Sequence, residues 1–118
     1  MTMLTLDKIY HASYVLKNTI YRTDLIYAPN ISKKCNIFLK PENLQLTGSF
    51  KVRGSYYKIS QLSEEEKSKG VIACSAGNHA QGVALAATKN GIKSLICLPD
   101  GAPISKVEAT KKYGAEIC

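Results

Sequence analysis

Apolar side chains first recur at helical spacing near the amino end, where Ile9, Ala12, Ser13 and Leu16 fall at i, i+3, i+4 and i+7. This spacing predicts a weakly amphipathic helix over 6–17 with Thr5 as its cap. After an irregular stretch holding Pro29, the run CNIFLK at 35–40 reads as a short strand, and Pro41, which has no N–H to give a ladder, stops it. Helical spacing returns with Val52, Tyr56, Ile59 and Leu62, so a helix is expected from Phe50 to Leu62. The hydroxyls of the Thr47-Gly48-Ser49 turn are placed to cap it, and Lys51 falls in its first turn. Ser63-Glu64-Glu65-Glu66 is a capping box that opens a second, shorter helix closed by Gly70.

From Gly70 onward the pattern alternates: a strand over 71–74, a loop over 75–78, a helix over 79–89, Gly91, and a strand over 93–98. A Pro-Asp-Gly turn, a helix over 103–113, Gly114 and the start of a strand over 115–118 follow. Strand and helix in turn, joined by tight glycine-bearing connections, predict an α/β fold with a partial parallel sheet and flanking helices. Ala80, Val83, Ala84 and Ala87 form the expected buried stripe of the 79–89 helix, and side chains that small let it lie close to a sheet. The last residues, Glu116-Ile117-Cys118, read as the inside of a strand, so the polypeptide is expected to be the opening piece of a longer one.

A length of 118 residues suits one small domain or part of a larger one, and 45% apolar with 21% charged residues is a composition that can bury a core. The amino end has neither a basic start with a long apolar run nor a cleavage site, and no stretch approaches the ~18 apolar residues of a membrane span. A soluble cytoplasmic protein without a membrane partner is expected. The formal charge of +7 comes from basic residues scattered singly and in pairs, with no dense stripe and no interleaved aromatics, which argues against a nucleic-acid partner. Cys35, Cys74, Cys97 and Cys118 show no C-x-x-C spacing, so no metal site is expected and free buried thiols of a reduced compartment are the reading.

Two segments carry candidate chemistry. In Thr47-Gly48-Ser49-Phe50-Lys51-Val52-Arg53-Gly54 a lysine stands just inside a helix start; it is either a solvated surface lysine or a nucleophilic amine kept partly uncharged by the helix N-terminus and desolvation. Ser75-Ala76-Gly77-Asn78-His79-Ala80-Gln81-Gly82 runs from the carboxyl end of a strand into the amino end of a helix, where open backbone N–H groups favour an anion. Asn78 and His79 are either caps or ligands.

Together these strings resemble the serine/threonine dehydratase group of fold-type II pyridoxal-phosphate enzymes, the tryptophan synthase β-like fold, of which this would be the N-terminal portion. The resemblance extends to Arg22-Thr23, to Lys40-Pro41-Glu42-Asn43-Leu44, to Leu98-Pro99 and to Ala102-Pro103 through Lys106. It implies that Lys51 holds pyridoxal 5'-phosphate in imine linkage and acts as the base at the substrate Cα. Phe50 would pack beside the cofactor ring, and Asn78 would hydrogen-bond its phenolic oxygen. Ser75, Gly77, Asn78 and His79 would bind the substrate carboxylate. The implied reaction converts L-threonine, or L-serine, to a 2-oxo acid and ammonia by loss of the Cα proton and the β-hydroxyl. Serine racemases of the group commonly place a second hydroxyl before the loop glycine; here Ala76 has no proton to give, which argues for elimination. Asp24, Ser55 and Leu98 stand where the group usually has Pro, Ala and Met.

The resemblance further implies a division into residues 1–50, joining a large domain, and 51–118, an incomplete small domain. The parent would be a homo-oligomer whose glycine-rich phosphate loop lies beyond this sequence. The chain is then expected to be poorly active alone, or one half of a split enzyme completed by a second polypeptide, or a non-catalytic remnant.

Overall fold

In the computed structural model, which describes residues 3–118, the predicted alternation forms a three-stranded parallel sheet. Residues 1 and 2 of the expected amino-terminal segment lie outside the described residues. Helix α1 spans Leu6–Leu16, and the hairpin strands β1 (Ile26–Tyr27) and β2 (Phe38–Leu39) pair antiparallel. Two short 3-10 turns, Glu42–Leu44 and Leu46–Gly48, lead into α2 (Lys51–Ser60) and α3 (Glu64–Lys69). Strands β3 (Val71–Cys74), β4 (Ser94–Cys97) and β5 (Glu116–Ile117) alternate with α4 (Asn78–Lys89) and α5 (Ile104–Lys112). The sheet order is β3-β4-β5, with Val71 opposite Ser94 and Leu95 opposite Glu116.

The core lies between α4, α2 and the sheet. Ala80, Ala84, Ala86 and Ala87 of α4 are fully buried with Ile96, and Ile59, Val83, Ile92 and Ala115 join them. Alanines on α4 contribute little apolar area each, but they let the helix lie close to its neighbours, with the larger Ile59 and Ile96 in the same cluster. Gly70 closes α3 with φ +79°, and a Cβ there would come within 2.9 Å of the Lys93 carbonyl oxygen, so both conformation and space require glycine. The α3 capping box forms as expected: Glu66 N–H donates to Ser63 Oγ, and Ser63 N–H donates to Glu66.

Several expectations are corrected. Thr5 stands at the start of α1, but its hydroxyl caps nothing. Ile9 and Ser13 of the expected stripe are exposed, and Leu16 is the buried residue of α1. The 35–40 strand contracts to Phe38–Leu39, because both residues are exposed and only a two-residue partner is available. The thiols are not buried: Cys35, Cys74 and Cys118 are exposed and Cys97 is half-buried. Cys35 lies outside any strand, and the other three follow the alternation of the sheet, pointing to the face opposite Ile96. On that face Ile72 is 74% exposed.

Candidate functional site

Lys51 is the first residue of α2, preceded by Phe50 at the cap position. Its backbone N–H donates to Ser49 Oγ at 3.3 Å, so one hydroxyl of the expected pair serves the helix start. The other does not, since Thr47 Oγ1 has no partner among the described residues, and Thr47 itself adopts φ +63°, an uncommon conformation for a β-branched residue. The Lys51 side chain is exposed, so the expected partial desolvation is not met, and its Nζ lies 4.5 Å from the centroid of the Phe50 ring.

The second segment forms as strand, bend and helix. Ser75 N–H donates to the Cys97 carbonyl, extending the ladder one residue past β3, and Gly77 N–H donates to Ser75 Oγ at 3.3 Å. Helix α4 then begins at Asn78, one residue earlier than predicted, with Gly77 at its cap position. Because glycine has no side chain to cap with, the first N–H groups of α4 remain available to an anion. Asn78 and His79 are exposed and are not caps.

A cleft of 520 Å³ joins the two segments. Lys51, Phe50 and His79 line it, over an apolar floor that includes Ile59, Val71 and Val83. Ser75, Gly77 and Asn78 do not line it; they precede His79 directly along the chain. Among the described residues no group of His, Cys, Asp or Glu could hold a metal ion, and no helix is long and apolar enough to cross a membrane. An exposed primary amine on a cleft that also takes in His79 of the first turn of α4, with its open N–H groups, is a donor set that suits an aldehyde cofactor and an anionic substrate.

A polar network behind Lys51 was not assigned any role from the sequence. Arg53 donates to both carboxylate oxygens of Glu42, at 2.8 and 2.6 Å, and Thr23 Oγ1 donates to Glu42 at 2.6 Å. The bidentate Arg53 contact, helped by Thr23 and the charge of Lys40, outweighs partial burial and holds the Glu42 carboxyl at about 2 instead of 4.5. Lys40 Nζ in turn donates to the Thr23 carbonyl. Gln45, buried, accepts from the Tyr21 and Leu46 N–H groups and donates to the Tyr21 carbonyl. These bonds tie the segment before Lys51 to the chain around residues 21–23. The Arg22-Thr23 and Lys40-Pro41-Glu42 runs and Arg53 of the lysine segment were its signals in the sequence, but nothing there joined them.

Comparison with known proteins follows the same outline. The family described as "Pyridoxal-phosphate dependent enzyme" matches residues 16–118. The L-threonine ammonia-lyase of Thermotoga maritima is 53% identical over 117 residues, covering 98% of this chain and 29% of its own length. The catabolic L-threonine dehydratase TdcB of Escherichia coli is 49% identical over 116 residues, covering 97% of this chain and 35% of its own length. The chain thus spans about a third of these relatives. Among solved structures, maize serine racemase superposes with a TM-score of 0.91 at 39% identity, over 99% of this chain and 36% of the racemase.

Proposed function

The chain belongs to the pyridoxal-phosphate dependent enzyme family, and from that membership we propose that it carries the amine and substrate-carboxylate elements of a threonine ammonia-lyase. Its fold is the amino-terminal part of the fold-type II architecture. The observation that supports the reading is the shared cleft of Lys51 and His79 at the starts of α2 and α4.

When bound, pyridoxal phosphate supplies an aldehyde to hold an amino group and a conjugated ring that stabilises negative charge developing at the substrate Cα. The Lys51 amine is the group proposed to hold the cofactor and then to take the Cα proton. Phe50 offers an aromatic face beside that amine, and the Asn78 amide would help to hold the cofactor ring through its phenolic oxygen. The Ser75 hydroxyl, the Gly77 bend and the open N–H groups of Asn78 and His79 would receive the substrate carboxylate, where the helix terminus adds about 0.3–1 kcal/mol of attraction. With Ala76 in the bend, no hydroxyl from that position can return a proton to the opposite face, so elimination of the β-hydroxyl is favoured over racemisation. L-Threonine and L-serine both fit this chemistry. The likeness to maize serine racemase favours racemisation as the second reading.

Because the relatives are about three times longer, full turnover is proposed to need further structure: a phosphate-binding segment, supplied by a longer chain or by a second polypeptide, in a parent enzyme that is a homo-oligomer. Residues 1–50 and 51–118 are proposed to belong to the two domains of that enzyme, in the cytoplasm. The test is to add pyridoxal phosphate and follow its visible absorbance in wild type and Lys51→Ala, then measure 2-oxo acid release and serine inversion. A band that vanishes in Lys51→Ala, with release exceeding inversion, supports the reading. An unchanged band in the variant contradicts it.

A further inference from the structure

We propose that Gly82 is a positioning residue for Lys51, holding the start of α2 at close range against α4 so that the amine meets the bend at the head of α4. The proposal rests on the reading of Lys51 given above. A Cβ at Gly82 would lie 3.1 Å from the Lys51 carbonyl carbon, 3.2 Å from the Val52 nitrogen and 3.1 Å from Ser55 Oγ. Two of these three atoms are backbone and cannot rotate aside, so an added methyl would push the start of α2 and α4 apart by a few tenths of an ångström.

Gly82 is buried inside α4, and its conformation is one that any residue adopts there. Glycine in a helix interior is less favourable than alanine by about 0.8–1.0 kcal/mol, so its use here is explained by space and not by dihedral freedom. Gly54 and Gly77, by contrast, have nothing within 4 Å of a built Cβ. Gly82 also stands four residues after Asn78, one turn along the same face of α4. This contact between α4 and α2 is therefore one turn from Asn78, proposed to bind cofactor and carboxylate, and it falls on the backbone of the residue proposed to carry the amine. Misplacing a reacting group by a fraction of this spacing is costly even when the fold survives.

The amine has a reporter that needs no cofactor, because Lys51 Nζ lies 4.5 Å from the Phe50 ring centroid. The lysines are dimethylated reductively with ¹³C-formaldehyde, and the Lys51 methyl signal is identified by its loss in Lys51→Arg. Separate samples are treated with pyridoxal phosphate and borohydride, and the pyridoxyl label is mapped by mass spectrometry. In Gly82→Ala the Lys51 signal is expected to move from its wild-type position and the Lys51 label to fall roughly tenfold, while circular dichroism stays folded. Ser55→Ala/Gly82→Ala relieves the hydroxyl contact alone, so its melting temperature recovers in part while both readouts stay as in Gly82→Ala. This variant carries the same comparison if Gly82→Ala does not fold. Ile92→Val, a core change beyond the far end of α4, lowers stability and leaves both readouts as in wild type. A folded Gly82→Ala with wild-type signal and label overturns the proposal. A wild-type chain labelled elsewhere, whose Lys51 signal still moves in Gly82→Ala, refutes the reading of Lys51 and upholds the positioning role.

Discussion

Ser55 has a buried hydroxyl that meets no hydrogen-bond partner among the described residues, wedged where α2 touches α4. An unsatisfied buried hydroxyl costs about 1–3 kcal/mol, so Ser55→Ala is expected to raise the urea midpoint, a gain that a loss of stability in the variant would refute. Glu42 shows the opposite case, a polar group whose partners are all in place. Its carboxyl sits at about 2 in the folded chain against 4.5 ordinarily. The stabilisation it contributes is therefore present above pH 4.5 and is lost as the pH falls toward 2. Thermal melts across that window should show a decline that Glu42→Gln flattens. Neither residue announced itself in the sequence. Ser55 registered only as an alanine position changed, and Glu42 as part of a run without a role, because both properties arise mainly from neighbours 11 or more residues away.

At the scale of elements, legibility followed the strength of local signals. Strand β3 fell where predicted because Gly70 and the Ser75 bend bracket four apolar residues, and α3 because its capping box is a complete local circuit. The hairpin of β1 was not legible, since Ile26 and Tyr27 are exposed and show no alternation to read. The cysteines were misread as buried because an apolar strand does not say whether one face or both are covered. Their placement gives a prediction: partial burial, together with the neighbouring Cys118 and Cys74 thiols, pushes the Cys97 thiol up. Alkylation by iodoacetamide near neutral pH should be slower at Cys97 than at exposed Cys35, and faster modification of Cys97 would contradict this. For Gly70, substitution by alanine meets both a positive φ and the Lys93 carbonyl, so a loss of stability beyond the ~1 kcal/mol usual for a strained residue is expected in chemical denaturation.

In the whole molecule, the parallel sheet and its helices bring together two segments more than twenty residues apart in sequence, and this was legible as a pattern before it was seen as a place. The sequence motifs named Lys51 and His79, and the cleft joins them. What no motif conveyed is how close α2 and α4 run, since Gly82 meets the backbone of another element and that contact cannot be read along the chain. Desolvation of the lysine was also misjudged, because exposure depends on what else covers the cleft. The central claim is that the Lys51 amine captures an aldehyde cofactor in preference to every other lysine of a strongly basic chain. The most direct measurement is to treat the folded protein with substoichiometric pyridoxal phosphate, reduce with borohydride and quantify the label on each lysine peptide. The account predicts a label concentrated on Lys51 and absent from that peptide in Lys51→Ala, with no compensating gain elsewhere. A label spread evenly over the surface lysines, unchanged in total by Lys51→Ala, would contradict it.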